Sequence, residues 1–363
     1  MDFGKTVVSP TRRGFRMPAE WEPHRATWMV WPHNRADWEI KTTAVRWCFA
    51  EVIKRITNSE RVALIVQDQK TRRHAERALT QLGTDLSRVE FYVIQTNRSW
   101  IRDSGPIFVT RRASKGRASI ALTDWGFNGW ARYRAWTQDN AVPARIAKIR
   151  RITRFPIRIR DSGQFRDVVL EGGSIDVNGQ GLLLTTEQCL LGRVQVRNPG
   201  IPRKLIEHSL KVSLGVKKVL WLSGGIAGDD TNGHIDGVAR FVAANVVVAA
   251  VEHDPNDTNY QPLDRNYKLL KSMRDTNGKP LRIVPIPMPR PVRFDDQRLP
   301  ASYLNFYITN RSVLVPTFND PNDRVALTQL ERLFPSREVI GIHAGDLVLG
   351  LGTLHCLTQQ EPA

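Results

Sequence analysis

Apolar positions along the chain follow two periods that alternate at short spacing. Val45, Cys48, Val52 and Ile56 recur at helical intervals, which predicts a helix over Thr42 to Thr57 with Cys48 in the core. Arg61 to Val66 is a continuous apolar run and reads as a buried strand. Gln69 to Leu82 is predicted helical and ended by Gly83. Strands are predicted at Ala26 to Trp31 (ended by Pro32), Val89 to Ile94, Pro106 to Val109 and Ile120 to Leu122. Further strands are predicted at Gly181 to Leu184, Val219 to Leu222, Leu281 to Ile286, Ser312 to Val315 and Val339 to Ile342. Val242 to Val251, interrupted by Asn245, fits a buried strand pair. Helices are predicted at Arg203 to Leu214, Asp264 to Asp275 and Asp323 to Phe334. Many strands neighbour other strands, so a plain doubly wound sheet fits poorly. No residue-level repeat is present, although the rhythm allows degenerate α/β repeats.

Composition narrows this picture. With 363 residues, 41% of them hydrophobic and 25% charged, the chain has the make-up of a globular protein long enough for two domains or one large closed architecture. No stretch approaches the ~18 apolar residues that span a bilayer, so no membrane association is expected. The opening Met1 to Lys5 has no apolar run behind its charges, and no signal peptide is predicted. Cys48, Cys189 and Cys356 are widely spaced and odd in number, which points to reduced thiols and a cytoplasmic location. The net charge of +17 raises nucleic acid as a partner. Its densest stretch, Arg145 to Arg166, carries no zinc-finger, RNP or heptad pattern, so a solvated basic face is the plainer reading and nucleic acid an alternative of a different class.

Four polar clusters carry candidate chemistry, each read as lying at the end of an apolar strand beside glycine. Trp100 to Pro106 sets Asp103 next to a tight turn. Val168 to Ser174 ends a strand with Glu171 before two glycines, and a carboxylate there is costly to bury without purpose. Gly228 to Gly237 contains His234 and Asp236. If extended, these two share one face and Ile235 points to the core; a turn whose side chains cap backbone groups is the alternative. Cys356 follows Gly350 and Gly352 near the end of the chain and reads either as a nucleophile or as a buried structural thiol. No His-x-x-x-His, two-His-one-carboxylate or Cys-x-x-Cys spacing is present, so no metal is expected. A protease-like Cys-His-Asp set leaves the extra carboxylates unexplained. Three carboxylates around a thiol and an imidazole instead suit a planar, cationic guanidinium. The thiolate would add to the guanidinium carbon, the adduct would lose ammonia with His234 as acid, and His234 would then activate water.

Taken together, the clusters resemble the agmatine deiminases of the guanidine-modifying superfamily. The likeness rests on ten motifs in family order: Met17 to His24, Trp31 to His33, Trp100 to Pro106, Phe127 to Trp130, Leu170 to Ser174, Thr185 to Leu190, Arg197 to Pro199, Gly233 to Asp236, Ser302 to Tyr307 and Leu354 to Gln360. The resemblance implies one catalytic domain over residues 1–363, folded as a five-bladed α/β propeller with pseudo-fivefold symmetry. It implies Cys356 as nucleophile, His234 as acid/base, Asp103 and Asp236 as guanidinium ligands, Glu171 as the orienting carboxylate and Trp100 as packing for the substrate's aliphatic chain. Cys189 is expected to be core. The implied reaction takes agmatine and water to N-carbamoylputrescine and ammonia without a cofactor, in a protein that could be a homodimer. Leu351, Thr353, Gly237 and Gly129 depart from the family's usual residues, so arginine or peptidyl-arginine are carried as alternative substrates, and amidino transfer as an alternative reaction.

Overall fold

The computed structural model describes residues 9–38, 41–112, 118–161 and 164–363; Met1 to Lys5 lie outside the described residues. The strands are β1 (His24–Val30), β2 (Arg61–Val66), β3 (Val89–Val93), β4 (Ile107–Arg111), β5 (Ser119–Asp124), β6 (Thr153–Pro156), β7 (Arg158–Asp161), β8 (Gln164–Asp167), β9 (Asp176–Val177) and β10 (Leu182–Thr186). They continue as β11 (Lys218–Leu222), β12 (Ala239–Ala243), β13 (Val246–Val251), β14 (Arg282–Pro287), β15 (Arg293–Phe294), β16 (Gln297–Arg298), β17 (Tyr307–Ile308), β18 (Ser312–Thr317), β19 (Glu338–His343) and β20 (Gln359–Pro362).

Five of the described sheets share one order: β20-β1-β2-β3, β4-β5-β6, β9-β10-β11, β12-β13-β14 and β17-β18-β19. In each, the first strand runs antiparallel to the second, and the second runs parallel to the third. The parallel step requires a crossover, and a helix supplies it each time. Those helices are Thr42–Thr57, Val142–Arg150, Arg203–Leu214 (after the short Glu187–Leu191), Tyr260–Ser272 and Pro321–Leu333. The core is divided among several apolar clusters between these units.

Thr42–Thr57 and Arg203–Leu214 form as the spacing predicts. Tyr260–Ser272 begins and ends earlier than Asp264 to Asp275, because Leu263, Asn266 and Leu270 form its buried face. The apolar run after Phe241 is a hairpin, β12 with β13, turning at Ala244-Asn245. Three expectations change. Cys48 is only half-buried, at the margin of the apolar cluster, while Phe49 and Val52 take the interior. Val168 to Leu170 is not a regular strand; Val169 makes a single bridge to Gly126. His234 and Asp236 are not extended, since Ile235–Gly237 is a 3-10 turn with His234 at its N-cap.

Candidate active site

Each of the five units contributes one polar side chain from the connection that enters its antiparallel strand. Asp103 precedes β4, Glu171 precedes β9, Asp236 precedes β12, Asn305 precedes β17 and Cys356 precedes β20. Three carboxylates, an amide and a thiol therefore come from equivalent positions, and all five are buried. The 3-10 turn still turns His234 and Asp236 toward this centre, and it buries Ile235 in the apolar core.

Two glycines make the convergence possible. A Cβ on Gly173 would stand 2.6 Å from His234 Nδ1, 2.7 Å from Asp103 Oδ1 and 3.1 Å from Asp236 Oδ2. A Cβ on Gly352 would stand 2.8 Å from the Trp100 ring and 3.2 Å from Cys356 Sγ. Any other residue would push these groups apart.

Around that space the polar atoms are held closely. Asp103 accepts from Gly173 N at 3.0 Å and from Trp130 Nε1 at 2.9 Å. Glu171 accepts from Arg197 Nε, 3.1 Å from Oε1 and 3.3 Å from Oε2, and its Oε2 lies 3.4 Å from His234 Nε2. His234 Nδ1 is 3.7 Å from Asp103 Oδ1 and has no hydrogen-bond partner among the described residues. His355 lies 2.8 Å from Asp236 and 2.9 Å from Glu20. Asn305 Nδ2 donates to Cys356 Sγ at 3.2 Å, and that sulfur lies 3.7 Å from Asp236 Oδ2.

Proximity sets the protonation. Burial pushes Asp103 up to about 6, and Asp236 and Glu171 add to the effect against His234. Burial opposes ionisation of Glu171 too, but Arg197 and His234 outweigh it and hold the carboxyl below its usual range. Asp236 is likewise lowered against burial, chiefly by His355. Burial disfavours the His234 imidazolium, yet Asp103, Cys189 and Glu171 hold it well above its ordinary value. Burial, Asp236 and Asp103 together push the Cys356 thiol well above its usual value.

Two small cavities meet at Cys356. One is walled by Asp229, His234, Asp236 and Asn305, the other by Trp100, Asp103, Trp130, Tyr133 and Asp230. Thr231, Leu351 and Gly352 belong to both. Leu351 adopts φ +68°, a left-handed backbone that costs a branched residue about 1 kcal/mol. Its side chain packs against the buried cluster of Leu299, Ala301 and Val348.

A family model described as Porphyromonas-type peptidyl-arginine deiminase matches residues 16–362. The chain belongs to that family. It is 37% identical to the agmatine deiminase of Medicago truncatula, with 98% of each chain covered. The agmatine deiminase of Enterococcus faecalis superimposes with a TM-score of 0.88 at 34% identity, covering 99% of both chains. A cysteine-to-serine variant of the C. jejuni agmatine deiminase, with substrate bound, superimposes with a TM-score of 0.83 at 29% identity, covering 96% of both. The deiminase family thus shares its mixed α/β fold with this chain from end to end.

All six residues singled out in the sequence of this deiminase-family chain, Trp100, Asp103, Glu171, His234, Asp236 and Cys356, lie at this one centre. Sequence reasoning missed four partners: Trp130, Arg197, Asn305 and His355. Each sits inside a motif that carried the family resemblance, but none forms a recognisable pair with a neighbour in sequence. Cys189 is buried as expected, and its sulfur also lies 3.9 Å from Glu171 Oε2.

Proposed function

We propose that this chain is a cysteine-dependent hydrolase that converts agmatine and water to N-carbamoylputrescine and ammonia, with residues 1–363 as one catalytic domain. The observation carrying this reading is the convergence of His234, Asp103 and Asp236 on the space left by Gly173, with Cys356 against Asp236 and Glu171 against His234. Full-length similarity to agmatine deiminases supports the substrate class. A guanidinium held by Asp103 and Asp236 places positive charge beside the sulfur and favours the thiolate, the thiol proton passing to solvent. The thiolate attacks the guanidinium carbon and a C–S bond forms. The C–N bond then breaks as the His234 imidazolium gives its proton to the leaving ammonia. Neutral His234 next takes a proton from water as its oxygen bonds to the thiouronium carbon; the adduct's hydroxyl proton then passes to solvent as the C=O forms, the C–S bond breaks and the thiolate returns. Glu171, fixed by Arg197, orients the imidazole throughout, and Trp100 packs against the aliphatic chain.

A specific contrast favours agmatine over arginine. Arg98, a cation on the outer wall, is ion-paired to Asp37 and stacked 4.2 Å over Tyr133. Asp230 on the same wall presents a carboxylate, which suits a terminal ammonium better than an α-carboxylate. The five repeated sheet units, with one site residue before each antiparallel strand, support a five-bladed propeller around the site. Reduced thiols fit the cytoplasm, and sedimentation tests the family's homodimer.

A panel of agmatine, arginine and arginyl peptide, assayed for ureido product and ammonia, tests the reading. Mass spectrometry of a trapped adduct should place it on Cys356. Cys356→Ser should lower turnover by at least about 10⁴-fold with the fold retained; turnover near wild type would remove the nucleophile, and no turnover of any of the three by folded protein would remove the function.

A further inference from the structure

Cys189, Glu171 and His234 form a set of ligating atoms that the reaction does not use as a set. Cys189 Sγ lies 3.9 Å from Glu171 Oε2, and that oxygen lies 3.4 Å from His234 Nε2. One ligand atom from each of the three lies within 4.8 Å of the others, and all three residues are buried. Zinc–ligand bonds of about 2.0–2.3 Å in a tetrahedron put sulfur, nitrogen and oxygen roughly 3.3–3.6 Å apart. The two separations to Glu171 Oε2, 3.4 and 3.9 Å, come close to that. The three come from connections far apart in sequence, which is why no metal-ligand spacing announces them.

The surroundings favour a cation. Asp103 faces His234 from the Ile101–Ser104 turn at 3.7 Å, and Asp236 lies on His234's own turn. Arg197 opposes, but it contacts both oxygens of Glu171 and is nearer Oε1, the one turned away from the sulfur and the imidazole. The ordered surroundings of Cys189 also give it a fixed position. Thr186 accepts from Cys189 N at 3.1 Å and donates to Gly233 O at 2.5 Å, so the Cys189 turn is fastened directly to the loop carrying His234.

We propose that Cys189, Glu171 and His234 bind a soft divalent cation of the zinc or cadmium type when no guanidine occupies the pocket, and that the bound ion inhibits the enzyme. A thiolate, an imidazole and one carboxylate select such ions over magnesium or calcium. The metal–sulfur and metal–nitrogen bonds form as the Cys189 thiol and the His234 imidazolium each release one proton to solvent. Glu171 is already ionised and releases none, and no oxidation state changes. The ion takes the imidazole nitrogen that faces Glu171, so His234 can no longer serve as acid or base. Inhibition rests on the catalytic reading of His234; binding of the ion does not.

Calorimetric titration of metal-free protein with Zn²⁺, without substrate and in two buffers of different ionisation enthalpy, tests binding directly. Cd²⁺ reports the thiolate through its ultraviolet charge-transfer band. One ion per chain, release of close to two protons and displacement by agmatine are expected. Cys189→Ala and Cys189→Ser should each weaken binding by at least about 100-fold, and whatever turnover each retains should no longer be inhibited by zinc. Cys356→Ser should bind the ion as the unaltered chain does. Unchanged affinity in whichever Cys189 variant folds, loss of binding in Cys356→Ser, or no binding of micromolar Zn²⁺ would each overturn the proposal. A metal-free enzyme without turnover would overturn the hydrolase reading instead and leave the binding result standing.

Discussion

Asp103, Asp236, His234 and the missing side chain of Gly173 share one small space, and their charges are set by each other more than by solvent. Asp103, at about 6, lies above the ~3.9 of an unfolded chain. Ionising it in the fold therefore costs stability, a cost absent below about pH 4 and complete above about pH 6. With the guanidinium grip proposed for Asp103, KM for agmatine should rise as pH falls through 6, by up to about tenfold per pH unit; a flat KM between pH 5 and 7 in steady-state assays would contradict that grip. Arg197 is the complementary case, because its guanidinium and Glu171 are both fully buried. Arg197→Leu should strand an ionised carboxyl and destabilise the fold by about 3–5 kcal/mol, measured by urea unfolding.

Among the elements, β20 has the least obvious sequence and a large share of the architecture. Its Gln-Gln-Glu-Pro run has no apolar alternation, yet all four residues are buried against β1. Glu361 accepts from Trp28 Nε1 at 2.8 Å and from Arg150 Nε at 3.0 Å. Glu361→Leu should leave both donors short of an acceptor and cost about 2–4 kcal/mol, read as a lower denaturant midpoint with unchanged slope. Periodicity could not announce such a strand, because backbone pairing and the ion pairs of Glu361 with Arg25 and Arg150 hold it, not side-chain hydrophobicity. Thr42–Thr57 and Arg203–Leu214 were legible for the opposite reason, since each buries a continuous apolar stripe. The Val142–Arg150 helix was hidden by its arginines and lysine, whose apolar partners Val142, Ile146 and Ala147 occupy too few positions to set a period. At the site, chemistry-bearing residues beside glycine could be picked out one by one. Asn305 and His355 act only through contacts made after folding, 51 and 119 positions away in sequence.

For the molecule as a whole, the +17 charge is partly answered where it is densest. Arg150 pairs with Glu90 and Glu361, Arg154 with Asp124 and Arg158 with Asp167. That leaves less of a continuous cationic surface for nucleic acid than the sequence suggests. The remaining field still repels a dicationic substrate, so kcat/KM for agmatine should rise about two- to threefold between low and moderate salt; a steady fall would mean that the pocket's carboxylates dominate the approach. The pairing of β1 with β20 has one more consequence, for synthesis of the chain. The two strands are separated by more than 300 residues, and Cys356 lies between β19 and β20. A ribosome therefore makes the Cys356 thiol only after every other residue named at the site. Until then the edge of β1 stays open, and an unfinished chain carries an aggregation hazard but lacks the Cys356 thiol.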